Sequence, residues 1–165
     1  KKLYTDKDAM KKREEELARI RAEQNRATTG NFAKMKGRLA WPVQGRVTGK
    51  FGTTRNPDTG VITENVGVDI RVKGGTAVKS VLDGVVSTIT YIRGHGKIII
   101  IDHGGGFSTV YAQIDNIKVH ENEYVQMGNP IASVAASENN APAKLHFEVW
   151  GNQEKLNPEH WLIKQ

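Results

Sequence analysis

Asp83-Gly84-Val85-Val86-Ser87-Thr88-Ile89-Thr90-Tyr91-Ile92-Arg93-Gly94-His95-Gly96-Lys97-Ile98-Ile99-Ile100-Ile101-Asp102 reads as two β-strands joined by a glycine-rich turn. Val85, Ser87, Ile89 and Tyr91 alternate with Val86, Thr88, Thr90 and Ile92. That period of two, with moderate polarity, is expected of a sheet with one wet face. Arg93-Gly94-His95-Gly96 supplies the reversal between the runs. Ile98–Ile101 is the longest continuous apolar run, and it is strand-sized. Nothing approaches the roughly 18 apolar residues of a membrane-spanning helix.

The same pattern of short apolar runs with glycine punctuation extends in both directions. Further strands are expected at Arg46–Phe51, Val66–Val72, Ala77–Leu82, Ser108–Gln113, Ile131–Val134 and Lys144–Trp150, beside Gly84–Ile92 and Lys97–Asp102. Asp83-Gly84 and Gly104-Gly105-Gly106 are further candidate hairpin turns. Pro130 and Pro142 mark places where strands should not pass. After Trp41-Pro42 no helix is expected beyond a turn near Pro158–Trp161. Seventeen glycines against five prolines fit a mainly β, antiparallel body over residues 41–165.

Residues 1–28 have a different composition: Lys, Arg, Glu, Ala, Leu and Met without Pro or Gly. Leu3, Met10 and Leu17 recur at sevens and Ile20 follows, a thin apolar seam of the kind that ends a coiled coil. Thr28-Thr29-Gly30 stops the helix, and residues 29–40 read as a linker. The whole net charge of +6 resides N-terminal of residue 39, with twelve Lys and Arg against six Asp and Glu there; the body holds twelve of each. A neutral body is poorly suited to tracking phosphates, so no nucleic-acid partner is expected. The absence of cysteine excludes disulfides, thiolate metal sites and cysteine nucleophiles. A chain that opens on Lys1 is expected to be a fragment, so the lack of a leader carries no information on compartment.

Six segments then recur in one order: Trp41-Pro42-Val43 with Phe51-Gly52; Asn65-Val66-Gly67-Val68-Asp69; Asp83-Gly84-Val85-Val86; Asp102-His103-Gly104 followed by Tyr111-Ala112-Gln113; Lys144-Leu145-His146-Phe147; and Asn157-Pro158 with Trp161-Leu162. Together they resemble the LytM, or lysostaphin-type, zinc endopeptidases, which cut the peptide cross-links of bacterial peptidoglycan. The resemblance covers residues 41–162 and implies a lysostaphin-like, duplicated-hybrid-motif sheet domain. In active members it implies the motifs H-x-G-x-D, Y-A-H and H-L-H. The first supplies a His and an Asp to zinc, the last supplies its second His, and the two other histidines assist a metal-bound water.

Carried onto this chain, Asp69 and His146 match two ligands. Asn65 stands in place of the first ligand, Gln113 in place of the Tyr-Ala-His histidine, and Lys144 in place of the first His of His-Leu-His. A neutral amide is a weak zinc ligand. Glutamine has no titratable group and cannot serve as a base. Lys144 and His146, two apart on a strand, share a face, so an ammonium would confront the metal. No metal and no cofactor are therefore expected, and Lys144 or a nearby arginine is expected to neutralise Asp69 instead. Asp69 and His146 either hydrogen-bond each other as inherited scaffold or belong to a repurposed groove. His95 and His120 are expected to be exposed, and His103 to face the groove.

A LytM domain without its ligands, behind a coiled-coil-like segment, is similar to the degenerate LytM factors, among them the EnvC-type murein hydrolase activators. That resemblance implies a periplasmic, non-catalytic protein that switches on an N-acetylmuramoyl-L-alanine amidase in cell division. It also implies a helical region reaching a membrane division complex. Asn65, Val66, Asp69, Tyr111, Gln113, Lys144 and His146 are the candidate groove contacts. Two other readings stand beside it: a non-catalytic peptidoglycan-binding module, and a zinc endopeptidase with unorthodox ligands.

Overall fold

The computed structural model describes residues 8–16, 18–19, 31–137 and 141–165. Residues 8–16 form a helix, α1, with Met10 exposed. Leu3, Leu17 and Ile20, on which the expected seam depends, lie outside the described residues.

The body is a mainly antiparallel β-sheet. Its strands are β1 (Arg46–Gly49), β2 (Gly52–Arg55), β3 (Ile62–Asn65), β4 (Val68–Arg71), β5 (Ala77–Lys79), β6 (Gly84–Ile92), β7 (Gly96–Gly104), β8 (Phe107–Asp115), β9 (Tyr124–Val125), β10 (Pro130–Val134), β11 (Lys144–Gly151) and β12 (Glu154–Leu156). The large sheet runs β1-β4-β11-β8-β7-β6-β9, with β12 on β11, β10 beside β8 and β5 on β10; β2 and β3 form a separate hairpin. The turns at Arg93–Gly96 and Gly104–Gly106 join β6 to β7 and β7 to β8, as the glycines predict. A single 3-10 turn, Pro158–His160, follows β12, capped by the Asn157 side chain on the Glu159 amide.

Several elements depart from the sequence expectation. The strand expected at Arg46–Phe51 ends at Gly49, and an unforeseen strand, Gly52–Arg55, pairs with Ile62–Asn65, whose polar Thr-Glu-Asn run hides its strand character. Asp83-Gly84 makes no hairpin. Instead the Asp83 carboxylate accepts from the Met127 amide and the Tyr124 hydroxyl and anchors the loop after β9. Pro130 opens β10, a strand position where a missing N–H is tolerated.

The linker expectation for residues 29–40 fails over its described part. Asn31–Lys34 form a short helix, α2, and Phe32 and Leu39 are fully buried. Phe32 lies 4.8 Å from Phe107, 5.1 Å from Trp161 and 5.0 Å from His103, ring centre to ring centre. Leu39 exchanges backbone hydrogen bonds with Trp161 and Ile163. The sparse hydrophobicity of this segment conceals two residues that close one end of the core.

Alternation on the central strands gives the sheet two distinct faces. On β11, Leu145, Phe147 and Val149 point into the main core with Val68, Ile70 and Tyr111. Lys144, His146, Glu148 and Trp150 alternate with them and occupy the outer face. Burying a large apolar side chain contributes roughly 1.5–3 kcal/mol, so register is fixed by the inner set and the outer set follows from it.

Candidate functional site

Register assembles the site on that outer face. His146 lies directly opposite Asp69 on β4 and opposite Ala112 on β8, and Asp69 lies opposite Gly49 on β1. Two glycines permit this closeness. A Cβ on Gly49 would collide with the Asp69 carboxylate, and one on Gly67 would run into the Phe147 carbonyl. Gly67 thus lets the Asn65–Asp69 segment lie flat against β11.

The side chains form one chain of hydrogen bonds. Asp69 Oδ1 is 2.9 Å from His146 Nδ1, His146 Nε2 is 2.8 Å from Glu148 Oε2, and Trp150 Nε1–H donates to Glu148 Oε1 at 2.7 Å. Asn65 Nδ2 donates to Asp69 Oδ2 at 3.1 Å while its Oδ1 accepts from the Gly67 amide. The Gly67 N–H therefore fixes which end of the Asn65 amide faces the carboxylate.

An imidazole between two carboxylates is an electrostatic unit. Burial opposes the charge on His146, but the hydrogen bonds and charges of Asp69 and Glu148 prevail and raise its pKa to about 9. Burial likewise opposes ionisation of Asp69 and Glu148. The hydrogen bond and charge of His146 outweigh it only together with their neighbours, Lys144 and Asn65 at Asp69 and Trp150 and Lys155 at Glu148, and each carboxyl titrates below its ordinary value. At neutral pH the site holds an imidazolium flanked by two carboxylates. Lys144 Nζ stands 4.0 Å from Asp69 Oδ2 and is half exposed. The cation that neutralises Asp69 is thus chiefly His146, with Lys144 in support, whereas the sequence pointed to Lys144.

This donor set does not fit a metal. The first-ligand position offers Asp69 an N–H rather than a lone pair, and both nitrogens of the imidazole are engaged by carboxylates. Among the described residues no group of three or more His, Cys, Asp or Glu is placed to hold an ion.

Around the chain lies a groove of about 400 Å³ lined by residues that include Lys50, Asn65, Asp69, His95, Gln113, Lys144 and His146. Gln113 is the bulged residue of β8, with φ 63°, and its N–H donates to the His95 carbonyl at 3.0 Å. That bond draws the β6–β7 turn over the site, with the His95 ring 5.9 Å from that of His146. His95 is exposed, as expected, yet it walls the groove.

Five of the seven sequence candidates, Asn65, Asp69, Gln113, Lys144 and His146, line this groove. Tyr111 does not: it is fully buried on the inner face, where its hydroxyl accepts from the Val81 amide and from Thr109, so it cannot touch a partner. Val66 is half-buried and is not among the lining residues. His103 is likewise sealed in the core, against the expectation that it faces the groove. Its Nδ1 lies 2.8 Å from the Asp83 carbonyl and its Nε2 2.7 Å from Thr109 Oγ1. Glu148 and Trp150 were missed, although their spacing of two and four from His146 placed them on its face.

The model of peptidase family M23 matches residues 63–158, which span β3 to the 3-10 turn and include every member of the hydrogen-bonded chain. The chain belongs to peptidase family M23. Among its relatives are the murein hydrolase activator EnvC of Escherichia coli strain K12, 28% identical over 81% of this chain and 31% of that protein, and the murein hydrolase activator NlpD of Salmonella dublin, 31% identical over 85% and 35%. The chain thus spans about a third of the length of these relatives. Among solved structures, a zinc-containing peptidase from Vibrio cholerae superposes with a TM-score of 0.65 at 26% identity, over 75% of this chain and 40% of that one. The M23 sheet therefore occurs both with a zinc peptidase site and in proteins named as activators. In this M23 domain the site is built from hydrogen bonds.

Proposed function

We propose that this M23 domain is a non-catalytic activator that works outside the cytoplasm, where peptidoglycan hydrolases act. It binds an N-acetylmuramoyl-L-alanine amidase during cell division through the groove around Asn65, Gln113, Lys144 and His146. The helical segment before the body links it to a membrane division complex.

The observation that carries this reading is the Asp69–His146–Glu148 chain. In an M23 hydrolase the aspartate and histidine lone pairs belong to the metal that activates water. Here they are directed at each other, and the amides at positions 65 and 113 have no titratable group to act as a base. The EnvC and NlpD likeness supports the same reading. A groove of this kind works by binding one state of its partner more tightly than another. The shift it produces is limited by that difference in affinity.

Incubation of the purified chain with peptidoglycan, alone and with an amidase, tests the proposal. Stimulated release of wall fragments only when the amidase is present is the expected result. Cleavage by the chain alone, with zinc found by elemental analysis, overturns it. Sedimentation with the wall without stimulation of any amidase would make this a wall-binding module instead.

A further inference from the structure

One edge of the large sheet is covered over only part of its length. β6 has nine residues, and β9 pairs with Gly84 and Val85 alone. Val86 is held by backbone hydrogen bonds with Asn122 and Glu123. The bulge of β6 lies between Val86 and Thr88, and residues 88–92 then keep regular register with β7. Among the described residues no strand lies on their other side. Alternation decides which groups this edge presents. Ile92 accepts from the His95 amide on the β7 side, so Thr90 and Thr88 bond toward β7 as well. The N–H and C=O groups of Ile89 and Tyr91 point the other way. The Ile89 N–H meets the Glu121 carboxylate at 2.9 Å.

An open edge recruits other strands, and proteins blunt such edges by shortness, charge or proline. β1, β5 and β12 also have a single strand partner. They are three or four residues long and carry Arg46, Lys79, and Glu154 with Lys155. Residues 88–92, Thr-Ile-Thr-Tyr-Ile, hold no charge and no proline. Tyr91 is 69% exposed and Ile92 47%. Glu121 guards this edge at one N–H.

We propose that the open edge of β6 pairs antiparallel with the same edge of a second copy of this chain. Thr90 faces its own counterpart across the dyad, and Ile89 of each copy lies opposite Tyr91 of the other. Those are the two residues whose main-chain groups face outward, so each Ile89–Tyr91 pair exchanges both of its N–H···O bonds. The side chains suit this register, because Thr–Thr and aromatic–β-branched pairs are favourable cross-strand combinations. Charge suits it too. Arg93 follows the strand and comes beside Ser87 of the second copy, near the Glu121 that yields the Ile89 N–H to the incoming strand. That carboxylate exchanges a backbone donor for a cation. The dyad of an antiparallel pair is perpendicular to the sheet, so the dimer turns both grooves to the same side. The inference does not depend on what the groove binds.

Sedimentation velocity of the full chain from about 10 μM to about 1 mM covers the affinities of an interface below about 1,200 Å². A reversible monomer–dimer equilibrium is expected. T90K and T90E each place like charges face to face at the dyad and are expected to weaken the dimer about fivefold. An equal mixture of the two sets Lys against Glu and is expected to restore it. Tyr91→Pro removes an outward N–H, leaves those bonded to β7, and is expected to abolish the dimer. Circular dichroism melts confirm that each variant is folded, and recovery in the mixture shows it independently. A wild type that stays monomeric throughout leaves the edge to a foreign strand and overturns the inference. Dimers that persist unweakened in T90K and T90E, or a mixture no stronger than either variant alone, overturn it as well.

Discussion

Two histidines on opposite faces of one sheet are driven in opposite directions. His103, on the inner face, is wholly buried among Phe32, the Asp83 carbonyl and Thr109, and burial pushes its pKa down to about 4. His146, on the outer face, is nearly as buried, yet two carboxylates raise it to about 9. Burial alone therefore does not set the protonation of an imidazole. What matters is whether the buried ring is offered neutral acceptors or charged ones. The inner network is neutral and holds the fold together, whereas the outer one is ionic and lines the groove.

The sharpest way to break the contrast is to return the outer network to a metal site. The N65H/Q113H/K144H variant restores the three missing imidazoles. It is expected to bind zinc with about micromolar affinity or better, a gain of about 8 kcal/mol, measured by calorimetric titration against a wild type that gives no heat. If the triple variant takes up no zinc, the Asp69–His146–Glu148 geometry has drifted beyond recovery by ligand replacement alone. On the inner face the largest effect is expected from Tyr111→Ala. It opens a cavity and strips a partner from the Val81 amide and from Thr109, a loss of about 4 kcal/mol readable as a shift in urea midpoint.

The pH dependence of stability separates the two networks by sign. His103 has a folded pKa below its unfolded value near 6.5. Its contribution, of order 3 kcal/mol, is present above 6.5 and is lost as pH falls toward about 4. His146 has a raised folded pKa, so its contribution, also of order 3 kcal/mol, is present below 6.5 and is lost as pH rises toward about 9. Asp69 and Glu148, both depressed, add stability above their ordinary carboxyl range that is lost on acidification. Denaturation midpoints across pH should therefore decline on both sides of about 6.5. His103→Gln should remove part of the acid limb, and His146→Gln part of the alkaline one. A midpoint that stays level from 6.5 to 9 would show that His146 is not held as a cation.

The smallest effect is expected from Lys144→Gln. An exposed ammonium 4.0 Å from its carboxylate contributes about 0.5 kcal/mol or less. A much larger loss would make Lys144, rather than His146, the principal counter-charge of Asp69.

The features that rest on strict alternation were legible in the chain. Val85–Ile92, Ile98–Ile101 and Leu145–Val149 gave their strands, and the family resemblance carried by the motifs around Asn65, Asp69, Gln113, Lys144 and His146 implied most of the groove. What escaped lacked a periodic signal. The Gly52–Arg55 and Ile62–Asn65 hairpin is polar on both faces, so alternation has nothing to mark. Phe32 and Leu39 are single apolar residues in a basic stretch, and only the tertiary structure shows the space they fill. Tyr111 was misplaced because its neighbours were read by motif. Its parity with Thr109, and opposite to Ala112, puts it on the inner face. Glu148 was overlooked although the same parity places it beside His146.

The seat of Phe32 bears on how the body would take a mechanical load. Its ring is wedged among Phe107, Trp161 and His103, and Leu39 is stitched to the C-terminal residues, so the polypeptide enters the body through its interior. Tension applied to the chain ahead of Phe32 is met first by that aromatic plug, which acts as a mechanical stop. A pull strong enough to extract it would loosen the packing around His103 before it reached the groove.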